Sequence, residues 1–290
     1  MTSSDSNKSS SQASANNTEV FISNEDLKTV AKRIRKHIVS MIGKAGSGHP
    51  GGSLSPVDIV TTLYWKILRH KPGDPHWVDR DRFILSKGHA APMLYSVLAE
   101  SGYFPVSELP TLRQIDSRLQ GHADRTATPG VEMSSGSLGQ GLSFGIGVAL
   151  AAKLDSRDYR TYILLGDGEC NEGQVWEAIM AAAHFKLDNL VAIVDKNGLQ
   201  IDGPTREVMN TEPMGEKWQA FGWHVIEVDG HDLAKLAEVF EKAKTTKGQP
   251  TVLIADTVKG KGVSFMENVV GFHGKAPNQE QLNTALKELE

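Results

Sequence analysis

Apolar residues fall along this chain in two alternating rhythms. Leu27, Val30, Ala31, Ile34, Ile38, Met41 and Ile42 recur at the spacing of one helical face, with Lys28, Lys32, Arg33 and Lys36 on the others. Ser23 offers an N-cap for that helix, with Asp26 three residues on. Further helices are predicted over Val57 to Leu68, with Pro56 at the first helical position, and over Ala90 to Ser101, ended by Gly102. Leu142 to Leu154, Gln174 to Phe185 and Leu233 to Thr245 complete the helical set. Leu142 to Leu154 is small and apolar, as expected of a helix lying close against a sheet. Short runs bounded by turn residues read as strands: Arg82 to Ser86, Thr161 to Leu165, Leu190 to Val194, His224 to Val228 and Thr251 to Ala255. Gly43 to Ser55 and Gly130 to Gly141 read as glycine-rich loops, and Pro105 to Asp124 as mixed helix and loop. Strand and helix alternate throughout, which predicts a single doubly wound parallel-sheet α/β domain with helices on both faces. Met1 to about Ile22 is rich in Ser and Asn and nearly devoid of large apolar residues, so residues 1–22 are expected to be a disordered tail ahead of a domain over 23–290.

Composition narrows the class. The 290 residues suffice for a sizeable core, and 39% hydrophobic with 23% charged residues suits a globular protein. A formal net charge of −4 gives no case for nucleic acid or an anionic membrane. No apolar run is long enough to span a bilayer, and the amino terminus shows no secretory pattern. The single cysteine, Cys170, excludes an intramolecular disulfide and suits a reducing, cytoplasmic location. It adjoins the loop discussed next, where a passive small residue is a simpler reading than a reactive thiol.

The chemistry concentrates in Gly166-Asp167-Gly168 and in Asp195-Lys196-Asn197, with Asp167 and Asn197 30 positions apart. Each follows an expected parallel strand, and Gln174 to Phe185 is the crossover between them. Both therefore reach the carboxyl rim of the sheet, where open α/β folds bind ligands. A carboxylate and an amide oxygen meeting there form half of a hard-cation site. The bland alternative is a turn capped by Asp and Asn. Gly136-Ser137-Leu138 precedes a helix, whose N-terminus attracts phosphate. The spacing is not Gly-x-Gly-x-x-Gly and no apolar strand precedes it, so a dinucleotide site is a poor reading.

These residues, with Gly46-Ser47-Gly48-His49-Pro50-Gly51, Leu85-Ser86-Lys87-Gly88-His89-Ala90, Gly121-His122, Gly136-Ser137-Leu138-Gly139-Gln140-Gly141 and Ile201-Asp202-Gly203, resemble the transketolase family from about Ser23 to the end. The resemblance implies a thiamine-diphosphate-binding (PP) domain. Asp167, Asn197 and the carbonyl of Leu199 would hold Mg²⁺, or Ca²⁺ or Mn²⁺ in its place. His89, Gly136, Ser137, Leu138, Gly168, Asn197 and His273 would contact the cofactor, with the Gly168 N–H facing a phosphate oxygen. His49, His122 and His273 would hydrogen-bond sugar hydroxyls and the reacting carbonyl. Glu172 and Glu177 would lie near a subunit contact, although helix-dipole complementation explains them equally well. Trp65, Trp176 and Phe185 could anchor an interface, with core packing the default. His70, His76, His184, His224 and His231 read as structural or exposed, and His37 on the first helix has no assigned role.

A transketolase continues into a pyrimidine-binding and a third domain, and neither follows here. The chain thus resembles the amino-terminal subunit of a split transketolase, inactive alone, which pairs as α2β2 with a C-terminal subunit carrying the pyrimidine domain. Its substrates would be sugar phosphates, whose arginine anchors are expected mainly on that second subunit. Rival readings are the alpha subunit of a 2-oxo acid dehydrogenase and a non-catalytic cofactor-binding module.

Overall fold

The computed structural model describes residues 26–290; the tail assigned to residues 1–22 and the cap assigned to Ser23 lie outside them. Helix α1 (Leu27–Ala45) is capped instead by Asp26, whose carboxylate accepts from the Lys28 N–H at 3.3 Å. It stops at Gly46, which takes the left-handed φ of 66°. Next comes α2 (Pro50–Leu54), inside a stretch expected to be loop. The glycines there are not turn residues. A Cβ on Gly52 would lie 2.9 Å from the His89 ring, and one on Gly51 would lie 3.0 Å from the Phe272 carbonyl. They allow close packing, and Pro50 is well placed to start a helix. Pro56 is the N-cap of α3 (Val57–Thr62), one position before its expected place, and the chain continues as a π-helical turn over Leu63–Ile67.

Five strands then form one all-parallel sheet. They are β1 (Arg82–Leu85), β2 (Thr161–Gly166), β3 (Leu190–Lys196), β4 (His224–Asp229) and β5 (Thr251–Asp256), in spatial order β1-β2-β3-β5-β4. Each lies within about two residues of the run expected from sequence. Between and after them lie α4 (Ala91–Glu100), α5 (Gln140–Leu154), α6 (Gly173–His184), α7 (Thr205–Val208), α8 (Met214–Ala220), α9 (Leu233–Thr245) and α10 (Gln279–Glu288).

Side-chain alternation along the buried strands splits the core into two layers. Tyr162, Leu164, Val191, Ile193 and Leu253 join α1, α3, α4 and α9 on one face. Ile163, Leu165, Ala192, Val194 and Ile254 join α5, α6 and α8 on the other. Helices therefore cover both faces, as a parallel sheet requires. Trp65 belongs to the first layer, so it is not an interface anchor.

The approach of α5 to the sheet depends on glycine. A Cβ on Gly145 would sit 2.7 Å from Ile163 Cγ1, and one on Gly141 would sit 2.4 Å from the Ser86 side chain. Gly145→Ala should therefore overpack the second layer and cost about 1–3 kcal/mol, read as a lower urea midpoint with an unchanged slope.

Candidate active site

The parallel register fixes the site. Gly166 pairs with Asp195, and Asp195 with Ala255, so the residues after β2, β3 and β5 emerge side by side at the carboxyl rim. Asp167 is buried there. Its Oδ1 accepts from the Gly168 N–H at 2.7 Å and its Oδ2 from the Gly198 N–H at 2.6 Å. Burial, and then the nearby Asp195 carboxylate, push the Asp167 pKa up to about 6. Asn197 Oδ1 accepts from the Leu199 N–H at 3.2 Å, and the Leu199 carbonyl accepts from Lys259 Nζ at 2.9 Å. The three expected cation ligands thus share one rim, each engaged within the protein. No cluster of three His, Cys, Asp or Glu suited to a metal occurs among the described residues. One carboxylate, one amide and one carbonyl suit a hard cation that takes its remaining oxygens from elsewhere. The Gly168 N–H goes to Asp167 rather than into open space, and a Cβ at Gly168 would meet the Gln200 side chain at 2.9 Å.

Two buried lysines complete the rim, and neither stood out in the sequence. Lys87, in the turn after β1, donates to Asp195 Oδ2 at 2.5 Å. Asp195 also accepts from Ser55 Oγ at 2.6 Å, from Asn197 Nδ2 at 3.4 Å and from the Thr257 hydroxyl. Burial opposes its charge, but Lys87 prevails and its pKa is lowered. Lys259, in the turn after β5, donates to Leu199 O and to His273 Nδ1, the latter at 3.0 Å. Burial, then repulsion from Lys87, lowers the Lys259 pKa to about 8. A cavity of about 170 Å³ is lined by Lys87, His89, Leu138, Asp167, Lys259 and His273 among others. A wider hollow of about 470 Å³ lies at the opposite rim, but Arg69, Lys153 and Arg157 are paired there with carboxylates.

Four histidines meet beside the smaller cavity. Ring centroids of His49 and His89 are 5.4 Å apart, His49 and His122 6.2 Å, His49 and His273 5.6 Å, and His89 and His273 5.3 Å. Burial is the leading cause that lowers all four pKa values. His49 and His273 fall to about 4, helped by Arg113 in the first case and Lys259 in the second. The cluster is therefore neutral near pH 7. An ammonium only donates, so Lys259 leaves the His273 proton on Nε2. His49 Nδ1 is buried without a hydrogen-bond partner among the described residues. Gly136 abuts His122, where a Cβ would lie 3.5 Å from the ring, and Gly88 fits beneath the Gly136 amide. Of the expected glycine-rich contact loop, Leu138 lines the cavity, whereas Gly136 and Ser137 are exposed.

Glu169 holds these loops together. It accepts from Ser86 Oγ, from the Gly139 N–H at 2.8 Å and from the Gly166 N–H at 3.0 Å. Cys170 beside it is fully buried, and its thiol pKa is pushed well up, so it is passive as expected. His231 bridges the Asp58 carboxylate and the Val258 N–H, which makes it structural. Glu172 and Glu177 are exposed on α6 and its cap.

Residues 27–289 match the transketolase, thiamine diphosphate binding domain family. The chain belongs to the transketolase family. It is 44% identical to a 6-deoxy-6-sulfo-D-fructose transketolase subunit of Clostridium sp. (strain MSTE9), over 91% of this chain and 96% of that protein. It is 44% identical to an apulose-4-phosphate transketolase subunit of Phocaeicola vulgatus, over 91% and 94%. Against the transketolase of Mus musculus it is 42% identical, over 91% of this chain but 42% of that protein. The crystal structure of transketolase from Campylobacter jejuni superposes with a TM-score of 0.86 at 35% identity, over 91% of this chain and 42% of that one. The fold is thus that of a transketolase PP domain.

A pH dependence follows for the family member without ligands. His49 and His273 titrate near 4 when folded and near 6.5 when unfolded. The unfolded chain binds more protons between those values, so their contribution is complete above 6.5 and lost as pH falls through 4. Asp167, raised from 3.8 to about 6, acts in the opposite sense and penalises the fold as pH rises through that window. In urea unfolding measured from about pH 7 to pH 4.5, the His49→Asn/His273→Asn protein should lose less stability than the parent.

Proposed function

We propose that this chain is the diphosphate-binding subunit of a two-subunit transketolase. With a partner carrying the pyrimidine domain, it moves a two-carbon ketol unit from a ketose phosphate to an aldose phosphate. The observation that carries this reading is the meeting of Asp167, Asn197 and Leu199 with His89 and His273 around one small cavity, with neutral His49 packed against both rings and His122 beside His49. The oxygens of Asp167, Asn197 and Leu199 would hold Mg²⁺, or Ca²⁺ or Mn²⁺ in its place. Lys87, Lys259 and His89 would face the diphosphate, as would the Gly168 amide on release from Asp167. Gly136, Ser137 and Leu138 flank the rest of the cofactor.

Thiamine diphosphate, when bound, supplies the carbon nucleophile and the electron sink for carbon–carbon cleavage. The residues of this chain bind, orient and handle protons. His273 presents Nε2–H to a substrate oxygen, with Lys259 holding its ring. Neutral His49 and His122 can accept a hydroxyl proton or donate to a carbonyl. Their lowered pKa values keep them from binding as cations near pH 7. The cavity is small, and the low dielectric of its buried walls strengthens each of these contacts.

Two features support a second subunit. The two subunit relatives are matched over 96% and 94% of their length, the mouse transketolase over 42%. The outer surface of α5 and α6 also exposes Phe144, Gly147, Leu154 and Met180, and Phe185 follows. Glu172 and Glu177 lie exposed on α6 and its cap, and the apolar strip is suited to cover by another subunit, as the proposed α2β2 assembly would provide. A 2-oxo acid dehydrogenase alpha subunit fits less well, because the relatives described above are all transketolases. A cytoplasmic location is in keeping with the lone buried cysteine, and no described helix is long and apolar enough to cross a membrane.

The isolated chain should show no ketol transfer, and adding the pyrimidine-domain subunit should restore it. Transfer by the isolated chain, or pyruvate decarboxylation in its place by the complex, would overturn the reading. Asp167→Ala should weaken Mg²⁺-dependent retention of thiamine diphosphate by at least about 10–100-fold, measured by calorimetry on the complex. Unchanged affinity would remove the cation from this rim.

A further inference from the structure

We propose that Arg113 binds the terminal oxyanion of the sugar substrate, a phosphate or a sulfonate, and so selects acidic sugars from this subunit's side of the site. The inference rests on the ketol-transfer reading and extends it to the far end of the substrate.

Arg113 lies in the loop before Gly121-His122, and it is held at both ends although exposed. Its backbone has the left-handed φ of 61°, uncommon for a residue with a Cβ. That conformation is kept by its N–H, which donates to the Leu119 carbonyl at 2.9 Å. Its guanidinium rests over Gly121, where a Cβ would come within 3.0 Å of Arg113 Cζ and Nε. Its Nη1 donates to Ser47 Oγ at 3.3 Å, in the loop that carries His49. An ordinary surface arginine has neither constraint.

The charge at this position has no counterion among the described residues. No carboxylate among the described residues pairs with Arg113, whereas Arg33, Arg35, Arg69, Arg80 and Arg118 each have one. The guanidinium nevertheless stands near the proposed sugar-facing histidines, because it contacts Ser47, two residues before His49, and rests over Gly121, next to His122; after burial, its field also helps to lower the pKa of both rings. One of its five N–H groups goes to Ser47, which leaves a planar fork for an oxyanion. Guanidinium stays charged at any working pH and matches tetrahedral oxyanions better than ammonium does. A fixed, unpaired cation flanking a neutral proton-handling cluster is suited to an anion that arrives with the substrate.

The test uses the complex with its pyrimidine-domain subunit. The KM for ribose 5-phosphate as acceptor should rise about 10–100-fold in Arg113→Gln, the scale of a lost charge-assisted contact. The KM for unphosphorylated ribose should rise far less than that for ribose 5-phosphate, and Arg113→Lys should recover part of the loss. A sulfonated aldose run alongside tells phosphate from sulfonate preference. Equal losses for ribose and ribose 5-phosphate would overturn the proposal. So would a shifted pH profile with unchanged selectivity, which would make Arg113 only a tuner of the histidines. If the parent complex transfers no ketol unit, the functional reading fails separately. In that case an NMR titration of the chain with ribose 5-phosphate decides: movement of the Arg113 Nε–H signal upholds the oxyanion site, and a silent Nε–H refutes it.

Discussion

The rim of this sheet is organised by one ion pair that water does not reach. Lys87 and Asp195 meet with both side chains almost wholly buried. Either charge alone in that setting would be strongly destabilising, so the two must be placed together. Ser55 and Thr257 donate to the same carboxylate, and Asn197 contacts it. The turns after α2, β1, β3 and β5 are thereby tied to a single anion. Asn197 and Lys259 sit on two of those turns, and Ser55 closes the segment that bears His49. Geometry at the cavity is a consequence of satisfying Asp195.

The electrostatic character of the cavity follows from the same arrangement. Lys87 is spent on Asp195, but among the described residues Lys259 has hydrogen-bond partners only in a carbonyl and an imidazole. A buried ammonium without a carboxylate of its own is a standing demand for negative charge. Asp167 nearby, held partly toward its neutral form, is the complementary demand for a cation. The cavity thus has a place for each sign, both on its lining, next to rings that carry none.

The elements were legible in the sequence because their patterns are local. Each strand announced itself as a short apolar run, and Asp167 and Asn197 followed because a strand end fixes what comes next. Glycine was harder to read. Gly51 and Gly52 resemble loop residues in a linear pattern, yet they sit in a helix because His89 and Phe272 press against them. Nothing near them in sequence records those neighbours. Lys87, Lys259 and Arg113 were missed for a related reason. A basic residue in a turn is normally solvated, and its burial or isolation depends on partners far along the chain. Lys87 and Asp195 are 108 positions apart. A lysine placed just past a strand, between small residues as in Thr257-Val258-Lys259-Gly260, was the available hint.

Helix α5 carries almost no charge on any side, although only one side faces the sheet. Phe144 and Leu154 therefore meet solvent from the moment the polypeptide leaves the ribosome, together with Met180 on the neighbouring helix. When one enzyme is made as two chains, such a strip ties proteostasis to gene dosage. Copies synthesised in excess have nowhere to hide it and become clients for chaperones, proteases or each other. If the second chain covers the strip, matched expression of the two would serve solubility as much as catalysis.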